Sequence, residues 1–373
     1  MNHTYYIGLD VHKETVAAAW AGPEGQPQFH GNCASSLRTV EDMLRRVAKK
    51  LGTGFKELKV AYEAGPTGFV LARRLKQLGI AVTVAAPSLI PRGAGERIKT
   101  DRRDALKLAR LHRAGELTAV HIPDGTDEAI RDLCRARTDA VDDMHRAKQR
   151  MSSFLLRNGH HYTGKGKWGT AHLKWLREIP FADPTQKVVL EEYIRTIEEA
   201  TASVARLEAH MEQLLENWER KDEVAAVMAL KGFKTVGAMI IVSELGDLGR
   251  FSHPRQLMGF LGLVPGEHSS GGKRRQGGIT KCGNGHVRWM LVEAAHSYRL
   301  PPKVSAQLTE RQQGQSRGIK ELSWRAQNRL SGKYRKLVAR GLHRNKAVTA
   351  VARELAGFLW ELHRVCGSGK LSA

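Results

Sequence analysis

The 373-residue sequence contains few cysteines, few aromatic residues and no long apolar run. The four cysteines, Cys33, Cys134, Cys282 and Cys366, are far apart, and no pair has the spacing of a zinc site or a redox motif. This scarcity excludes a disulfide scaffold and predicts reduced thiols in a cytoplasmic protein. No apolar run reaches the roughly 20 residues of a membrane helix, and the N-terminus lacks the apolar core of a signal peptide. We therefore expect no membrane partner.

Acidic residues are also scarce compared with basic ones. The chain has 38 Asp and Glu against 60 Lys and Arg, so its net charge is +22 and its isoelectric point is near 10.1. Residues 301–373 contain 15 Lys and Arg but only four Asp and Glu, a net charge of +11. Such a charge favours a polyanionic partner, and binding would be strongly salt-dependent. The alternative is a basic protein without such a partner.

Short apolar segments near the N-terminus predict an α/β domain. The predicted strands are TYYIGLDV, TVAAAWA, QPQFHGN, ELKVAYEA and IAVTVAAP, and helical spacing follows the third, fourth and fifth of them. Three meandering strands followed by helix–strand alternation are typical of a mixed sheet with helices on both faces. In that arrangement the first strand lies centrally beside the fourth, and the last helix packs across them.

Two segments in the middle of the chain carry heptad repeats. Arg137 interrupts the first repeat, whose apolar members are Ile130, Leu133, Ala140, Met144, Ala147, Met151 and Phe154. The second repeat has two seams, formed by Leu190, Ile197, Val204, Met211 and Trp218, and by Tyr193, Ala200, Leu207 and Leu214. Both patterns predict a coiled coil. An antiparallel arm that pairs with another subunit would bury both seams, and a local bundle of two long helices is the alternative.

The C-terminal part is predicted to be compact and mostly helical. The segment ALKGFKTVGAMIIVSELGD resembles a helix–turn–helix hairpin that approaches a phosphate backbone through main-chain N–H groups, with Gly232 and Gly237 where small residues are needed. An ordinary packing unit fits the same pattern. The predicted division is an α/β domain over 1–120, a coiled-coil region over 121–221, a helical domain over 222–300 and a basic helical tail over 301–373.

Four acidic residues of the predicted α/β domain lie at strand ends or on the helix that follows the last strand. Asp10 ends the first strand, Glu63 ends the fourth, and Asp101 and Asp104 lie on one face of the helix after the fifth. We expect the four to converge, and four converging carboxylates require neutralisation by cations. Oxygen ligands suit Mg²⁺ or Mn²⁺, and a metal pair would clamp a scissile phosphodiester.

Each acid also has a simpler interpretation. An Asp or Glu at a strand end often begins a turn, Asp101 would serve as a helix N-cap, and Asp104 would pair with a cation one turn away. The stretch GLDVHKET also resembles the first phosphate loop of sugar and acetate kinases. Those loops carry a Gly two residues after the Asp, where this chain has His12, and no second Gly-rich loop follows.

The segment GEHSSGGKRRQGG, residues 266–278, places two serines beside a glycine pair and three cations. A serine hydroxyl is a poor nucleophile without a base, a metal or a stabilised leaving group. Cations stabilise the charge that develops on an attacked phosphate, and the candidates are Lys273, Arg274 and Arg275, with Lys281 and Arg288 for adjacent phosphates. His268 is a candidate base by proximity alone. A Gly/Ser-rich surface turn with a solvated basic run is the alternative.

These motifs together resemble a known family. The order Asp10, Glu63, Asp101, Asp104 is similar to the DEDD catalytic set of a RuvC-like, RNase H-type nuclease domain. IGLDVHK, YEAGPTGF and KTDRRDALKLARL resemble the N-terminal blocks of the transposases of the IS110 insertion-sequence family. GLVPGEHSSGGKRRQGGITKCGNGHVRWMLVEAA resembles their C-terminal signature, in the form of the IS1111 branch. The resemblance runs from about Tyr5 to Tyr298; the heptads match only in kind and the tail only loosely.

This resemblance implies a bacterial, nucleoid-associated DNA recombinase guided by a structured non-coding RNA that pairs separately with target and donor DNA. It implies a homo-oligomer, a dimer of dimers assembled with help from the coiled coil. Each active site would combine the acids of one subunit with the serine of another. The four acids would hold Mg²⁺, with Mn²⁺ possible, and Ser270 would be the nucleophile. Ser270 is preferred to Ser269 because the family pattern places its serine directly before the glycine matched by Gly271.

Two other functions remain compatible with the residues. The first is a metal-dependent, structure-selective DNA nuclease, similar to a Holliday-junction resolvase, in which water is the nucleophile. The second is a nucleic-acid-binding protein without catalysis, in which the acids only cap and pair. RNA contacts would involve the basic tail and its aromatic residues Trp324, Tyr334 and Trp360, although their helical spacing suits core packing equally well.

Overall fold

A computed structural model describes residues 3–91, 99–267, 269 and 275–369, with side chains to residue 366. The chain divides into two compact units, Met1–Asp124 and Gly125–Ala373. The first is a mixed α/β unit, and the second is mostly helical. In the described part of the chain, no helix is long and apolar enough to cross a membrane.

The N-terminal unit contains five strands and three helices in the predicted order. Its strands are β1 (Tyr5–Val11), β2 (Thr15–Ala21), β3 (Gln28–Ala34), β4 (Leu58–Glu63) and β5 (Ala81–Ala85). Its helices are α1 (Leu37–Lys50), α2 (Val70–Gln77) and α3 (Asp101–Arg113). The sheet order is β3-β2-β1-β4-β5, with the first three strands antiparallel and with β4 and β5 parallel to β1. The prediction of a central first strand beside the fourth is confirmed.

The two faces of the sheet pack against different helices. One face of β1, with Ile7 and Leu9, shares a core with apolar side chains of α1 and α2. The opposite face contacts α3 through alanines of β2 and α3. Gly8 is required there, because a Cβ atom at this position would overlap the carbonyl oxygen of Ala105 and the amide of Ala109. This close approach brings α3 against β1 and so sets the distance between the acids of α3 and the end of that strand.

His112 on α3 is an ionisable group within this packing. Burial, assisted by the charge of Lys59, lowers the pKa of His112 from 6.5 to about 4. Its ring lies edge-on to Tyr6, with centroids 5.4 Å apart, and its Nδ1 is buried without a hydrogen-bond partner in the described residues. The folded unit therefore holds a neutral imidazole.

We expect this imidazole to make the N-terminal unit acid-sensitive. The unfolded chain takes up the His112 proton near pH 6.5 and the folded chain only near pH 4, so the stabilisation is present above pH 6.5 and is lost as the pH falls toward 4. The loss should be about 2 kcal/mol after allowance for partial solvent screening. Hydrogen exchange of the β1 and β4 amides between pH 7 and 4.5 measures it. His112→Gln should flatten that dependence and His145→Gln, on an exposed helix face, should not; equal slopes in all three proteins would contradict the assignment.

The C-terminal unit begins with a long helical hairpin. Its helices are α4 (Gly125–Arg157), the short α5 (Thr170–Glu178) and α6 (Pro184–Asn217). Three side-chain pairs show that α4 and α6 run antiparallel: Trp218 Nε1 donates to Asp127 Oδ1 at 3.0 Å, Arg137 Nε donates to Glu208 Oε1 at 2.9 Å, and Gln186 Nε2 donates to Asn158 Oδ1 at 2.7 Å. The paired region is about 50 Å long.

The predicted seams of this hairpin are buried unevenly. At the two ends, seam residues such as Met151, Leu190 and Met211 are buried. In the middle, residues such as Met144 and Val204 are only partly buried. Leu214, near the end of α6, is 47% exposed, so this chain alone does not bury that seam position. The two helices of this chain thus bury only some of the heptad side chains.

A bundle of helices follows the hairpin. Its helices are α7 (Lys221–Met228), α8 (Thr235–Leu245), α9 (Pro254–Phe260), α10 (Gly285–Ala295), α11 (Ala306–Arg311), α12 (Arg317–Ala339) and α13 (Arg344–Gly369). Residues 237–245 of α8 are buried all round, so this helix is the centre of the bundle. Gly232 has a φ of +98°, and a Cβ there would lie 2.5 Å from the Ala294 carbonyl oxygen. Packing alone requires that glycine, and phosphate contact stays a prediction.

Candidate active site

Asp10 and Asp101 converge where β1 ends and α3 begins. His12 Nε2 lies 3.1 Å from Asp10 Oδ2 and 3.6 Å from Asp101 Oδ1. One potential ligand atom from each of the three residues lies within 4.8 Å of the others, a spacing that would hold a metal ion. The Asp10 side chain is 15% exposed, whereas those of His12 and Asp101 are about half exposed. The cluster is therefore anchored in the sheet and open on one side.

Asp104 lies one helical turn after Asp101. The N-cap of α3 is Thr100, whose side chain accepts a hydrogen bond from the Arg103 amide, so the N-cap interpretation of Asp101 is wrong. Asp104 Oδ2 is buried and has no hydrogen-bond partner among the described residues. A buried carboxylate oxygen without a donor is costly, and coordination of a cation would remove that cost.

Glu63 is the last residue of β4, the strand that pairs with β1. The parallel register, which matches Leu9 with Tyr62, places Glu63 beside Asp10 when it is extended by one residue. Side chains at matching positions of neighbouring parallel strands point to the same face. Glu63 is exposed and lies outside the group of atoms within 4.8 Å. The structure thus brings Asp10, His12 and Asp101 together, with Asp104 near enough for its charge to act on Asp10 and Glu63 on the adjacent strand.

The electrostatics of Asp10 agree with a cation site. Burial raises the pKa of the Asp10 carboxyl above its usual 3.8, His12 opposes this shift, and the charges of Asp104 and Asp101 add to it. Hard oxygen donors together with an orphaned oxygen are a chemical environment that suits Mg²⁺ or Mn²⁺. The residues present fit a divalent cation.

The serine segment belongs to a short antiparallel hairpin formed by β6 (Pro265–Glu267) and β7 (Gln276–Ile279). Ser269 Oγ donates to Glu267 Oε1 at 2.8 Å and accepts from the Arg275 amide at 3.2 Å. The Ser269 hydroxyl therefore bridges the two sides of the hairpin. Four predicted site residues lie outside the described residues: His268, Ser270, Lys273 and Arg274.

Comparison with known proteins connects both regions to one family. A family model described as Transposase, for the DEDD transposases of IS110 elements, matches residues 7–158, and the model Transposase IS116/IS110/IS902 family matches residues 224–309. The protein y4qE of Sinorhizobium fredii, named as a transposase, is 42% identical over 96% of this chain and 88% of its own length. The chain belongs to the IS110 family of transposases. The transposase for insertion sequence element IS1533 of Leptospira borgpetersenii is 29% identical over 90% of this chain and 97% of its own.

The two matched regions divide the candidate chemistry of the transposase. The first contains Asp10, Glu63, Asp101 and Asp104, and the second contains the serine hairpin. Family membership establishes that the chain is an enzyme that acts on DNA, and it gives the acidic cluster a catalytic context that single residues lack.

The predicted phosphate-binding cations of the transposase have different surroundings. Arg288 Nη1 donates to the carbonyl oxygens of Leu261 and Cys282 at 3.0 and 2.9 Å, so part of its guanidinium holds the base of the hairpin. Lys281 is exposed and has a φ of +57°, a left-handed conformation that is uncommon outside glycine. Arg275 is exposed, and its amide is bonded to Ser269. Lys281 and Arg275 therefore present their charges to solvent.

The three aromatic residues proposed for RNA contact are not equivalent. Tyr334 is only 8% exposed, and Trp360 Nε1 donates to the Phe251 carbonyl oxygen at 2.7 Å. Trp324 is 48% exposed on α12. Among these three, Trp324 alone presents a large aromatic surface for stacking on a base.

Sequence reasoning missed two residues of the site. His12 was noted only as a departure from a kinase loop, yet it contacts both Asp10 and Asp101. Its position two residues after Asp10 was the available signal. Glu267 was not considered as a partner of the serines, although an acid two residues before Ser269 was a usable sign.

Proposed function

We propose that this transposase is an RNA-guided DNA recombinase that cuts and rejoins strands through a phosphoserine intermediate. The observation that carries the proposal is the convergence of Asp10, His12 and Asp101 at the end of a central strand, with the buried, unpartnered oxygen of Asp104 near Asp10. Such a cluster is what a phosphoryl-transfer site requires, because attack on a phosphodiester needs a fixed divalent cation.

The N-terminal unit supports a RuvC-like, RNase H-type assignment. Three antiparallel strands, two parallel strands and a helix that packs across the first strand place acids at the ends of β1 and β4 and on α3. In this proposal Asp10, Glu63, Asp101 and Asp104 form the DEDD set. The form of the serine segment favours the IS1111 branch of the family.

The acids would hold Mg²⁺, with Mn²⁺ as a substitute. A bound cation polarises the phosphoryl oxygens and stabilises the charge of the leaving strand. Asp10 and Asp104 are the inner, shielded ligands, and Asp101 closes the exposed side. His12 holds Asp10 and Asp101 in mutual register through its ring nitrogen.

Ser270 is the proposed nucleophile. Its Oγ would attack the phosphorus, a new O–P bond would form, and the bond to the departing strand's bridging oxygen would break. That oxygen would take up a proton, and the serine proton would pass to a base. The phosphoserine link conserves the energy of the phosphodiester, so a new strand end can rejoin without ATP.

The cations of the serine segment would stabilise the attacked phosphate. Lys273, Arg274 and Arg275 follow the serine after two glycines, and Lys281 lies just beyond the end of β7 in an exposed position. Positive charge near the non-bridging oxygens lowers the barrier to attack. Arg288 would act chiefly by holding the hairpin, since two backbone carbonyls occupy its Nη1.

The proposed assembly is a dimer of dimers that carries a structured non-coding RNA together with donor and target DNA. Incomplete burial of the α4–α6 hairpin supports a coiled-coil arm that pairs with another subunit, because the chain alone leaves Met144 and Val204 in the middle and Leu214 near the end of α6 incompletely covered. The net charge of +22 supports binding of nucleic acid.

A denaturing gel tests this function. The purified protein is incubated with Mg²⁺, both DNA partners and the RNA transcribed beside its gene, and the DNA ends are examined. We expect a band of protein covalently attached to a DNA end, which requires both Mg²⁺ and the RNA. Cleavage without attached protein would instead favour the nuclease that uses water, and binding without cleavage in Mg²⁺ or Mn²⁺ would favour the non-catalytic protein.

A further inference from the structure

Glu244 is a carboxylate in the apolar centre of the C-terminal unit. It lies on α8 among residues that are buried all round, and its side chain is 1% exposed. A charged group in that environment is destabilising unless it is paired and hydrogen-bonded. Its presence therefore calls for specific partners.

Two partners from distant parts of the chain occupy this carboxylate. Arg135 of α4 donates through Nε to Oε1 at 2.7 Å and through Nη2 to Oε2 at 3.0 Å. Asn284 donates through Nδ2 to Oε2 at 2.7 Å. The hydrogen bond to Glu244 raises the pKa of Arg135 and so favours its charged form. Glu244 thus connects α4, the first helix of the long helical hairpin, to the start of α10.

Asn284 also caps α10. Its Oδ1 accepts a hydrogen bond from the Val287 amide at 3.0 Å. The oxygen therefore caps α10, whereas the nitrogen donates to Glu244. Asn, Asp and Ser are comparable as N-caps, but only Asn also donates a hydrogen bond to a carboxylate in this geometry. An Asp at 284 would place a second negative charge against Glu244. The amide is the side chain that satisfies both contacts.

The base of the serine hairpin ends one residue before Asn284. A Cβ atom at Gly283 would overlap the Phe260 carbonyl oxygen, and one at Gly262 would overlap the Cys282 backbone. The two segments that enter and leave the hairpin are thus in close backbone contact at these glycines. Arg288 holds this base through the Leu261 and Cys282 carbonyl oxygens, and Asn284, which contacts Glu244, is the next residue after it.

We propose that Glu244 and Asn284 are positioning residues for strand exchange, which set the serine hairpin relative to the arm helix α4 through Arg135. Neither residue touches the reacting atoms. This inference rests on the proposed function to the extent that the hairpin carries the nucleophile. It adds that one carboxylate, that of Glu244 on α8, connects α4 to the residue that follows the serine hairpin.

The test uses the complete insertion element on a plasmid in bacteria, so that any RNA encoded by the element is present. Recombination junctions are measured by quantitative PCR, the protein level by immunoblot, and the melting temperature and DNA affinity with purified protein. Asn284→Ser keeps the N-cap and removes the longer amide group whose Nδ2 donates to Glu244. We expect on the order of tenfold fewer junctions or a larger loss, with DNA affinity within about twofold.

A reversed pair separates positioning from simple stability. Asn284→Asp alone should lower junction formation at least as much as Asn284→Ser, because two carboxylates then face each other. Adding Glu244→Gln reverses the pair, because the Gln amide nitrogen can donate to the Asp carboxylate. We expect this double variant to recover much of the lost junction formation. The matched control is Arg137→Gln, which breaks an Arg–Glu pair on the same helix α4 away from Asn284 and should leave the junction level unchanged.

Three results would overturn the inference: wild-type junction levels in Asn284→Ser, no recovery in the reversed pair, or a loss fully accounted for by a lower protein level. Ser270→Ala is measured in the same assay. If that variant still forms junctions, the proposed nucleophile is wrong. The inference on Glu244 and Asn284 is decided separately, by their own variants.

Discussion

Ser270→Ala is expected to abolish the covalent protein–DNA adduct and to lower strand exchange by about a thousandfold or more. The change removes only the oxygen that would form the bond to phosphorus. Binding of DNA and RNA should persist, because affinity for nucleic acid depends mainly on the cationic side chains. The adduct is measured on a denaturing gel and mapped by mass spectrometry, and affinity is measured by fluorescence anisotropy.

The neighbouring serine provides the control for this prediction. The Ser269 hydroxyl donates to Glu267 and accepts from the Arg275 amide, so its oxygen already bridges the hairpin. Ser269→Ala should therefore loosen the hairpin and reduce strand exchange by roughly tenfold, while an adduct still forms. An adduct that maps to Ser269, or one that persists in Ser270→Ala, would contradict the assignment of the nucleophile.

The architecture of the N-terminal unit was predictable because its signals are local. Five short apolar segments separated by turn residues specify strands, and helical spacing after the third, fourth and fifth of them specifies the connections. The central position of β1 then follows from the preference for short, right-handed crossovers. The close contact of Gly8 with α3 was not predictable, because a glycine in a strand does not reveal which backbone will approach it.

The acidic cluster was predictable in outline but not in detail. Strand ends and helical spacing correctly placed Asp10 near Asp101 and Asp104. They left open whether Asp101 was only a cap, and the adjacent Thr100 resolves this by taking that role. Glu63 shows the limit of such reasoning, because pairing fixes its neighbour but not the direction in which a long side chain extends.

Long-range pairing in the C-terminal unit was not predictable from local patterns. The contact of Glu244 with Arg135 spans 109 residues, and its contact with Asn284 spans 40. An acid within an apolar helix only signals that a partner is needed. Likewise, a heptad pattern marks both helices of the hairpin, yet it does not reveal that Leu214 stays exposed.

Asp10→Asn is expected to abolish strand exchange, with a loss of about a thousandfold or more, because the shielded ligand of the cation site loses its charge. The same change should stabilise the metal-free protein at neutral pH. Burial and the nearby acids raise the pKa of Asp10 above 3.8, so the stability that the protonated group contributes at low pH is lost as the pH rises through that pKa. An uncharged amide of the same shape avoids this loss.

Metal addition separates these two effects of Asp10. Mg²⁺ should raise the melting temperature of the wild-type N-terminal unit, since a ligand that binds only the folded state stabilises it, and the increase should be small or absent in Asp10→Asn. Asp143→Asn is the control, because Asp143 is 67% exposed on α4 and pairs with Arg146. It should retain wild-type strand exchange and the full metal response. If Asp10→Asn kept the Mg²⁺-dependent increase, or melted at a lower temperature than the wild type without metal, Asp10 would be a structural residue and the cation would have to bind elsewhere.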